Sequence, residues 1–317
     1  MQNTENRLAA EPAQRADPAR RSEPARDPGT PPQPNTGTRR RLGTVMMLMA
    51  SVCFSLGGLL IKVIPWNPLA INGARNLLSC CVIALFMKVT HHRLKLNFTV
   101  LVGAVCMAGV TTLYAIANKM TTAGNTIILQ YTAPIWIVIL MNLFFRRKPR
   151  RYELISLLLV LAGIVCFVFD GLSTGNIVGD ALALLSGLFY AGVFMLNQFE
   201  KGDALSSFFL GQLFCGVFLS PLVLRESVFT PQALLAVFLL GLVQVGLAYI
   251  FFFYGTRYTD PVTASIINAL EPILNPTLVA VFYGEHLGPI ALVGGAIVIG
   301  GILFYNLMQH RYTNMQK

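Results

Sequence analysis

Charge is what this chain has least of. Only 12% of its 317 residues are Asp, Glu, Lys or Arg, where soluble domains carry about 25%, so too few charges exist to clothe a water-exposed globule. Acids are scarcer than bases, 14 against 24. Histidine occurs four times (His91, His92, His286, His310), in loops or at the end of the last apolar run. Neither a His-Glu-x-x-His helix nor a pair of acids inside one apolar run is present, which leaves no convergent catalytic set for an intramembrane protease. A phosphate-cradling G-x-x-x-x-G-K-[ST] loop is missing too, which excludes ATP-driven transport by this chain alone. The gaps between apolar runs are too short for a soluble catalytic domain. The six cysteines (Cys53, Cys80, Cys81, Cys106, Cys166, Cys215) all fall within apolar runs. Thiols there act as small fillers, so no disulfide framework is expected.

What is plentiful is apolar surface: 55% of residues are hydrophobic and the mean hydropathy is +0.62. From Gly43 onward the chain is a series of runs near the ~20 residues that a bilayer demands. They cover 43–63, 68–88, 98–117, 122–144, 152–170, 178–199, 205–224, 231–254, 261–283 and 288–308. Pro68, Pro231, Pro261 and Pro289 stand at or near the first turn of a run, where a missing N–H has no partner to lose. The net charge of +10 is not gathered into a nucleic-acid patch. It sits in the short gaps, as membrane topology signals do. One side receives Arg39–Arg41, Lys88, Arg93, Lys95, the "RRKPRR" cluster at 146–151, Lys201, Arg257, Arg311 and Lys317. The other receives Lys62, Lys119 and Arg225. That asymmetry predicts a multi-pass protein of the plasma membrane (a bacterial inner or cell membrane) with both termini cytoplasmic. Residues 1–41, rich in Pro, Ala and Arg, hold too little apolar surface to fold and are expected to form a disordered cytoplasmic tail. The tail carries acids and no adjacent cleavable apolar core, so it is not expected to be a signal peptide.

The second half repeats the first. Shifted by 138 residues, "TTAGNTIILQYTAPIWIVILMNLFF" (121–145) falls on "TDPVTASIINALEPILNPTLVAVFY" (259–283) without a gap, and "VLAGI" (160–164) falls on "VIGGI" (298–302). A shift of 136 sets Gly43 on Gly179 and Phe54 on Tyr190. Five runs per half is an odd number, so the halves must insert with opposite topology. The predicted fold is therefore all-α: an integral membrane protein of ten transmembrane helices in two inverted five-helix repeats, 42–171 and 172–310, followed by a cytoplasmic tail at 311–317. Inverted repeats are an architecture of secondary transporters, which rock one repeat against the other around a midplane site.

The stretches "LEPILNPTLVAVFYGEHLGPIALVGGAIVIGGILF" (270–304) and "TAPIWIVILMNLFFRRKPRRYELISLLLVLAGIVCF" (132–167) resemble the drug/metabolite transporter (DMT) superfamily, specifically its EamA-type branch. Both look like that family's Pro-containing fourth helix, loop and Gly-rich fifth helix. Gly284-Glu285 matches its loop acid, while Arg146-Arg147 departs from it. The resemblance, covering residues from about 42 to 308, implies secondary transport, often export, of amino acids, other metabolites or drug-like compounds through a central cavity. It implies no cofactor.

Inside the ninth run, Asn268, Glu271 and Asn275 are three and four residues apart and share one helical face. A carboxylate at the bilayer centre costs several kcal/mol, roughly 2.5–3.5, unless it faces protein or a cavity. Glu271 is thus a candidate proton-coupling site and the two asparagines candidate solute contacts. The alternative is that all three tie down backbone around Pro272 and Pro276. By the repeat, Gln130 takes the place of Asn268 and Ala133 that of Glu271, while Thr111 and Tyr114 fall on Tyr249 and Phe252. Ser51, Ser55, Tyr114, Gln130, Tyr190, Gln244 and Tyr249 complete a candidate pocket, mostly apolar with a few polar groups; helically spaced aromatics also serve as plain packing. Arg75 in "NGARNLLS" lies two turns inside the second run. It either snorkels to the external interface or acts as a gate. Two function classes follow: a secondary transporter of small organic solutes, expected to be an exporter, and an intramembrane enzyme acting on a lipid-linked substrate. The missing catalytic set favours the transporter, with the bilayer and a small solute as partners and protons as the candidate coupling ion. Oligomeric state, solute and direction are left open by the residues.

Overall fold

The computed structural model describes residues 36–120, 126, 129–167, 176–283 and 289–315. Several expectations lie outside the described residues: the tail before residue 36, the opening of the fourth run at 122, the end of the fifth at 168–170, and the loop acid Glu285 with Gly284.

Helix follows helix along the rest. The elements are α1 (Thr36–Val63), α2 (Pro68–Val89), α3 (Phe98–Met120), α4 (Ala133–Phe145), α5 (Arg151–Phe167), α6 (Ile177–Met195), α7 (Ala204–Leu219), α8 (Pro231–Leu239), a π-helix (Leu240–Leu247), α9 (Ala248–Tyr258), α10 (Pro261–Asn268), α11 (Glu271–Tyr283) and α12 (Pro289–Met315). Six stretches are long and apolar enough to cross a membrane by length and composition: Gly37–Ile61, Pro68–Val89, Phe98–Ala117, Ile177–Gln198, Ala204–Arg225 and Pro231–Tyr258. The start signals read locally. Asn67, Asn176, Asp203, Thr230 and Asp260 each cap the helix that follows through a side-chain oxygen, filling one of the four donors a helix start leaves open.

Three expectations need correction. Helix α1 begins at Thr36, so residues 36–41, assigned to the tail, are helical; Arg39–Arg41 are good helix formers and carry the helix past the apolar run. The eighth run is not one regular helix, because Leu240–Leu247 is π-helical. There Gly241 and Gly246 bring the chain against Leu78 and Val82 of α2, and a π-turn is how a helix absorbs an extra residue. The ninth run is two helices, α10 and α11, parted at 269–270. Pro272 has no N–H to give to the Asn268 carbonyl, so the ladder stops there.

The fourth run breaks at the same register, before Pro134. Around residues 131–132, Thr132 N donates to Leu129 O, Ile135 N to Thr132 O and Trp136 N to Thr132 O. Shifted by 138, these become Leu270 N to Ile267 O, Ile273 N to Leu270 O and Leu274 N to Leu270 O, and all three are present. The repeat is therefore built into the backbone as well as the sequence.

The halves interlock. Helix α5 lies on α12, with Gly163 against Val298 and Gly301 against Val160; rising numbers meet falling numbers, so this pair runs antiparallel. So do α2 and α7, where Gly73 meets Leu219 and Ser79 bonds Gln212. Helix α1 packs along α9 with Met47 at Gly255 and Phe54 at Tyr249, again antiparallel. In lipid such contacts are held by close packing and not by a hydrophobic drive, which small residues at the crossings permit. A Cβ at Gly163 would stand 2.8 Å from the Gly294 carbonyl oxygen. Phe194, Phe208, Phe252 and Tyr305 fill the interior, while Leu85, Leu158, Phe218 and Leu303 face outward.

One end of the bundle gathers the basic loops and is tied across the halves. Arg147 reaches Glu153 at 2.8 Å and Asp260 at 3.4 Å, and Asp203 takes His92 at 3.0 Å and Lys95 at 3.3 Å. Burial alone would push the Asp203 carboxyl up. The Ser206 N–H, the His92 ring and the Lys95 ammonium outweigh it and hold the group below the usual carboxylate range.

Candidate functional site

The two breaks face each other and meet through side chains. Tyr131, in the first break, donates to Glu271 Oε2 at 2.6 Å, and Asn268 Nδ2 lies 3.3 Å from the same oxygen. Asn268 Nδ2 also donates to the Tyr190 hydroxyl at 2.8 Å and stands 3.4 Å from that of Tyr131. On its other side Asn268 Oδ1 accepts from Ser51 at 3.3 Å. One buried cluster thus joins α1, the first break, α6 and the second break. The carbonyl of Asn268, freed by Pro272, has the Tyr131 hydroxyl 3.5 Å away, which repays part of the lost helix bond. The freed carbonyl of Gln130 lies under Gly187 of α6, where a Cβ would come within 2.8 Å. Only glycine lets α6 pass there.

Arg75 turns inward and not to the interface, which corrects the snorkelling reading. Its Nε and Nη2 donate to Asn72 Oδ1 at 3.1 and 2.8 Å. The half-buried guanidinium lies within electrostatic reach of Tyr249, Tyr114, Cys215 and Glu271. Among the described residues no carboxylate pairs with it. A separated positive and negative group therefore share this interior. Glu271 keeps Oε1 uncommitted among the described residues.

The other expected residues divide. Tyr190 and Ser51 join the cluster directly. Tyr114 and Gln130 are half-buried beside it. Tyr249 is buried among rings, 5.0 Å from both Phe54 and Phe208. Gln244 donates to the Phe54 carbonyl at 3.3 Å, and its buried Oε1 has no partner among the described residues. Ser55 spends its hydroxyl on Val52 O of its own helix at 2.6 Å, so its assignment to the pocket finds no support in the geometry. Asn275 stands half-buried one turn along α11 from Glu271, and among the described residues it makes no bond to the cluster.

Tyr131 had not been singled out, although it supplies the shortest bond to Glu271. Nor had Asn72, Asn76, Ser79 and Gln212, all buried. Asn76 donates to Asn72 Oδ1 at 2.9 Å, Ser79 bonds Gln212, and Asn72 Nδ2, Asn76 Oδ1 and Gln212 Nε2 are left without partners among the described residues. Buried amide atoms of this kind cost about 1–3 kcal/mol each, so α2 and α7 enclose a polar seam beside Arg75.

Aromatic rings pack around the cluster. Phe54, Phe194, Phe208, Tyr249 and Phe252 stand with centroids 4.8–6.2 Å apart. The arrangement sets a guanidinium and a carboxyl group in an interior otherwise lined by rings.

A model of the EamA-like transporter family matches residues 41–169 and again residues 177–307. The chain is 26% identical over 247 residues to "Uncharacterized transporter YwfM" of Bacillus subtilis, covering 75% of this chain and 83% of that protein. It is 28% identical over 193 residues to an "Uncharacterized transporter" of Archaeoglobus fulgidus, covering 60% and 69% respectively. A crystal structure superposes with a TM-score of 0.73 at 18% identity, over 85% of this chain and 98% of that one; at that identity the likeness concerns the fold.

Proposed function

The chain belongs to the EamA-like transporter family and is a membrane transporter, and from that premise we propose that it moves small organic solutes such as amino acids or other metabolites by secondary transport, as an exporter. The proposed mechanism is alternating access at a midplane cavity between two inverted five-helix repeats, 42–171 and 172–310, ten spans in all. The observation that carries it is the cluster Ser51–Asn268–Tyr190–Tyr131–Glu271, which joins the two halves where each is broken at the same register. Antiparallel packing of α5 on α12 and of α2 on α7, repeat equivalents in both cases, supports the inversion. The gathering of basic loops at one end supports a cytoplasmic placement of both termini in a cell membrane.

In this reading Glu271 takes and releases the coupling proton, Arg75 gates the cavity and binds an anionic group of the solute, and Asn268 with Tyr190, Ser51, Tyr114, Gln130, Gln244, Tyr249 and Asn275 frame the path. Ser55 supports the backbone. An intramembrane enzyme would need a convergent catalytic set, which the sequence does not offer, and the named relatives are transporters.

The test is a metabolite panel offered to the purified protein in sealed vesicles, with and without a pH gradient. Accumulation of one solute class, steepened by the gradient, is expected. Equal accumulation by protein-containing and empty vesicles across the panel would sink the reading.

A further inference from the structure

Helix α2 ends in a left-handed turn on which no glycine stands. His91 has φ 51°, with His91 N donating to Lys88 O and His92 N to Met87 O at 2.8 Å. Glycine is the usual residue there because a Cβ adds strain, so the imidazole is kept at a cost. The turn folds Lys88, His91, His92 and Arg93 around a cavity of about 520 Å³, whose lining also includes Met87 and Phe209. It lies at the basic end, away from the Asn268–Glu271 cluster.

The cavity keeps its positive charge. Its neighbouring acid, Asp203, is spent on His92, Lys95 and the Ser206 N–H. Among the described residues no carboxylate pairs with Lys88 or Arg93. The rest of the lining is apolar: Ala84, Met87, Leu94 and Phe209. Cations beside an apolar wall match an amphiphile. A free phosphate would satisfy Lys88 and Arg93 but would leave that wall without a partner.

We propose that this pocket binds the phosphate headgroup of an anionic phospholipid, with Lys88 and Arg93 making the charge-assisted contacts and the acyl chain lying against Ala84, Leu94 and Phe209. His92 is both a wall of the pocket and a partner of Asp203, so the lipid sits against one of the ties that join the two halves.

The experiment titrates the full chain in mild detergent with phosphatidylglycerol, phosphatidylcholine and inorganic phosphate, reading bound lipid by native mass spectrometry. Phosphatidylglycerol is expected to bind in preference to phosphatidylcholine. Each cation near an anionic headgroup contributes roughly fivefold in affinity, so Lys88→Gln should weaken binding about fivefold and the double variant Lys88→Gln/Arg93→Gln about 25-fold. Lys201→Gln/Arg257→Gln, which removes two cations of the same end outside the pocket, should stay within about twofold of the parent. Unchanged binding by the double variant overturns the proposal, as does equal loss in the control. Equal binding of phosphatidylcholine overturns it too, and displacement of the lipid by millimolar phosphate would make the site one for free anions. Both side chains are exposed; should the double variant fail to fold, the two single variants carry the same test.

Discussion

Replacing Tyr131 with Phe removes one oxygen from the centre of the molecule and leaves the ring. The lost hydroxyl donates to Glu271 at 2.6 Å and stands 3.4 Å from the Asn268 amide nitrogen, so the change deletes the main bond between the two breaks without opening a cavity. A hydrogen bond to an ionised partner is worth about 1.5–3 kcal/mol and one between neutral groups about 0.5–1.5; cross-helix bonds in membrane bundles average about 0.6. The size of the effect therefore reports the charge of Glu271. A double-mutant cycle of Tyr131→Phe and Glu271→Met isolates the pair, because Met has about the acid's volume and offers the hydroxyl no oxygen. Reversible unfolding of the four proteins in mixed micelles supplies the energies. A coupling above about 1.5 kcal/mol is expected if the resting carboxyl is charged and near 0.6 kcal/mol if it holds a proton. Repeating the cycle at two pH values should move the coupling between these levels. A coupling within about 0.3 kcal/mol of zero at both would refute the reasoning, since non-interacting sites add to about that margin.

Further outcomes follow from the same coordinates. Glu271→Gln should keep the fold and leave some transport while abolishing its response to a pH gradient in vesicles; a normal response would make Glu271 structural. Gly187→Ala places a Cβ 2.8 Å from the Gln130 carbonyl oxygen and should destabilise by about 1–3 kcal/mol in the same micelle unfolding assay; unchanged stability would refute the close approach of α6. Asp203 is held below its ordinary value of 3.8, so its contribution is fully present above that value and lost as pH falls through the lower folded value. Asp203→Asn should accordingly lower stability at neutral pH and flatten its further loss below about pH 4; an identical acid profile for the two would remove the tie from the account. In a cysteine-free background, Asn67→Cys should react with an impermeant reagent from outside and Lys201→Cys should not; the reverse pattern would invert the topology.

The fold was legible wherever the backbone chemistry repeats. Prolines 134 and 272 stand at one register, and the broken ladder before each is a direct consequence of a missing N–H. The break itself escaped, because an apolar run with a proline near its middle reads equally as a kinked helix or as two helices. Apolar pattern sets where a chain crosses a membrane; it does not say whether the crossing is continuous. The same holds for Leu240–Leu247, where nothing in the period of "LGLVQVGL" separates a π-turn from an α-turn.

The candidate site was legible by residue type and not by partner. Glu271 and Asn268 stand out because polar side chains in an apolar run are costly, and both lie at the centre of the cluster. The repeat pointed from them to Ala133 and Gln130, the equivalent positions, and so past Tyr131. An alignment of two halves tells which residues are equivalent. Contact between the halves needs only that residues be near, and here the partner of Glu271 is two residues away from its equivalent. The stripe Asn72, Asn76 and Ser79 tells the same lesson from another side. Its spacing of four and three marks one helical face, which is visible in sequence. That the face meets Gln212 of α7, and that Arg75 beside it turns inward, depends on α2 crossing α7 at Gly73, where no room is left for any side chain on α2: a Cβ there would lie 2.4 Å from the Leu219 carbonyl carbon. A substitution at Gly73 should therefore disturb Arg75 without touching it. Gly73→Ala is expected to push α2 away from α7, lower stability by about 1–3 kcal/mol and weaken solute binding. Arg75→Lys, which keeps the charge but loses the fork on Asn72, should weaken solute binding with little change in stability. If Gly73→Ala instead leaves binding intact while stability falls, Arg75 is placed by its own contact with Asn72 and not by the crossing.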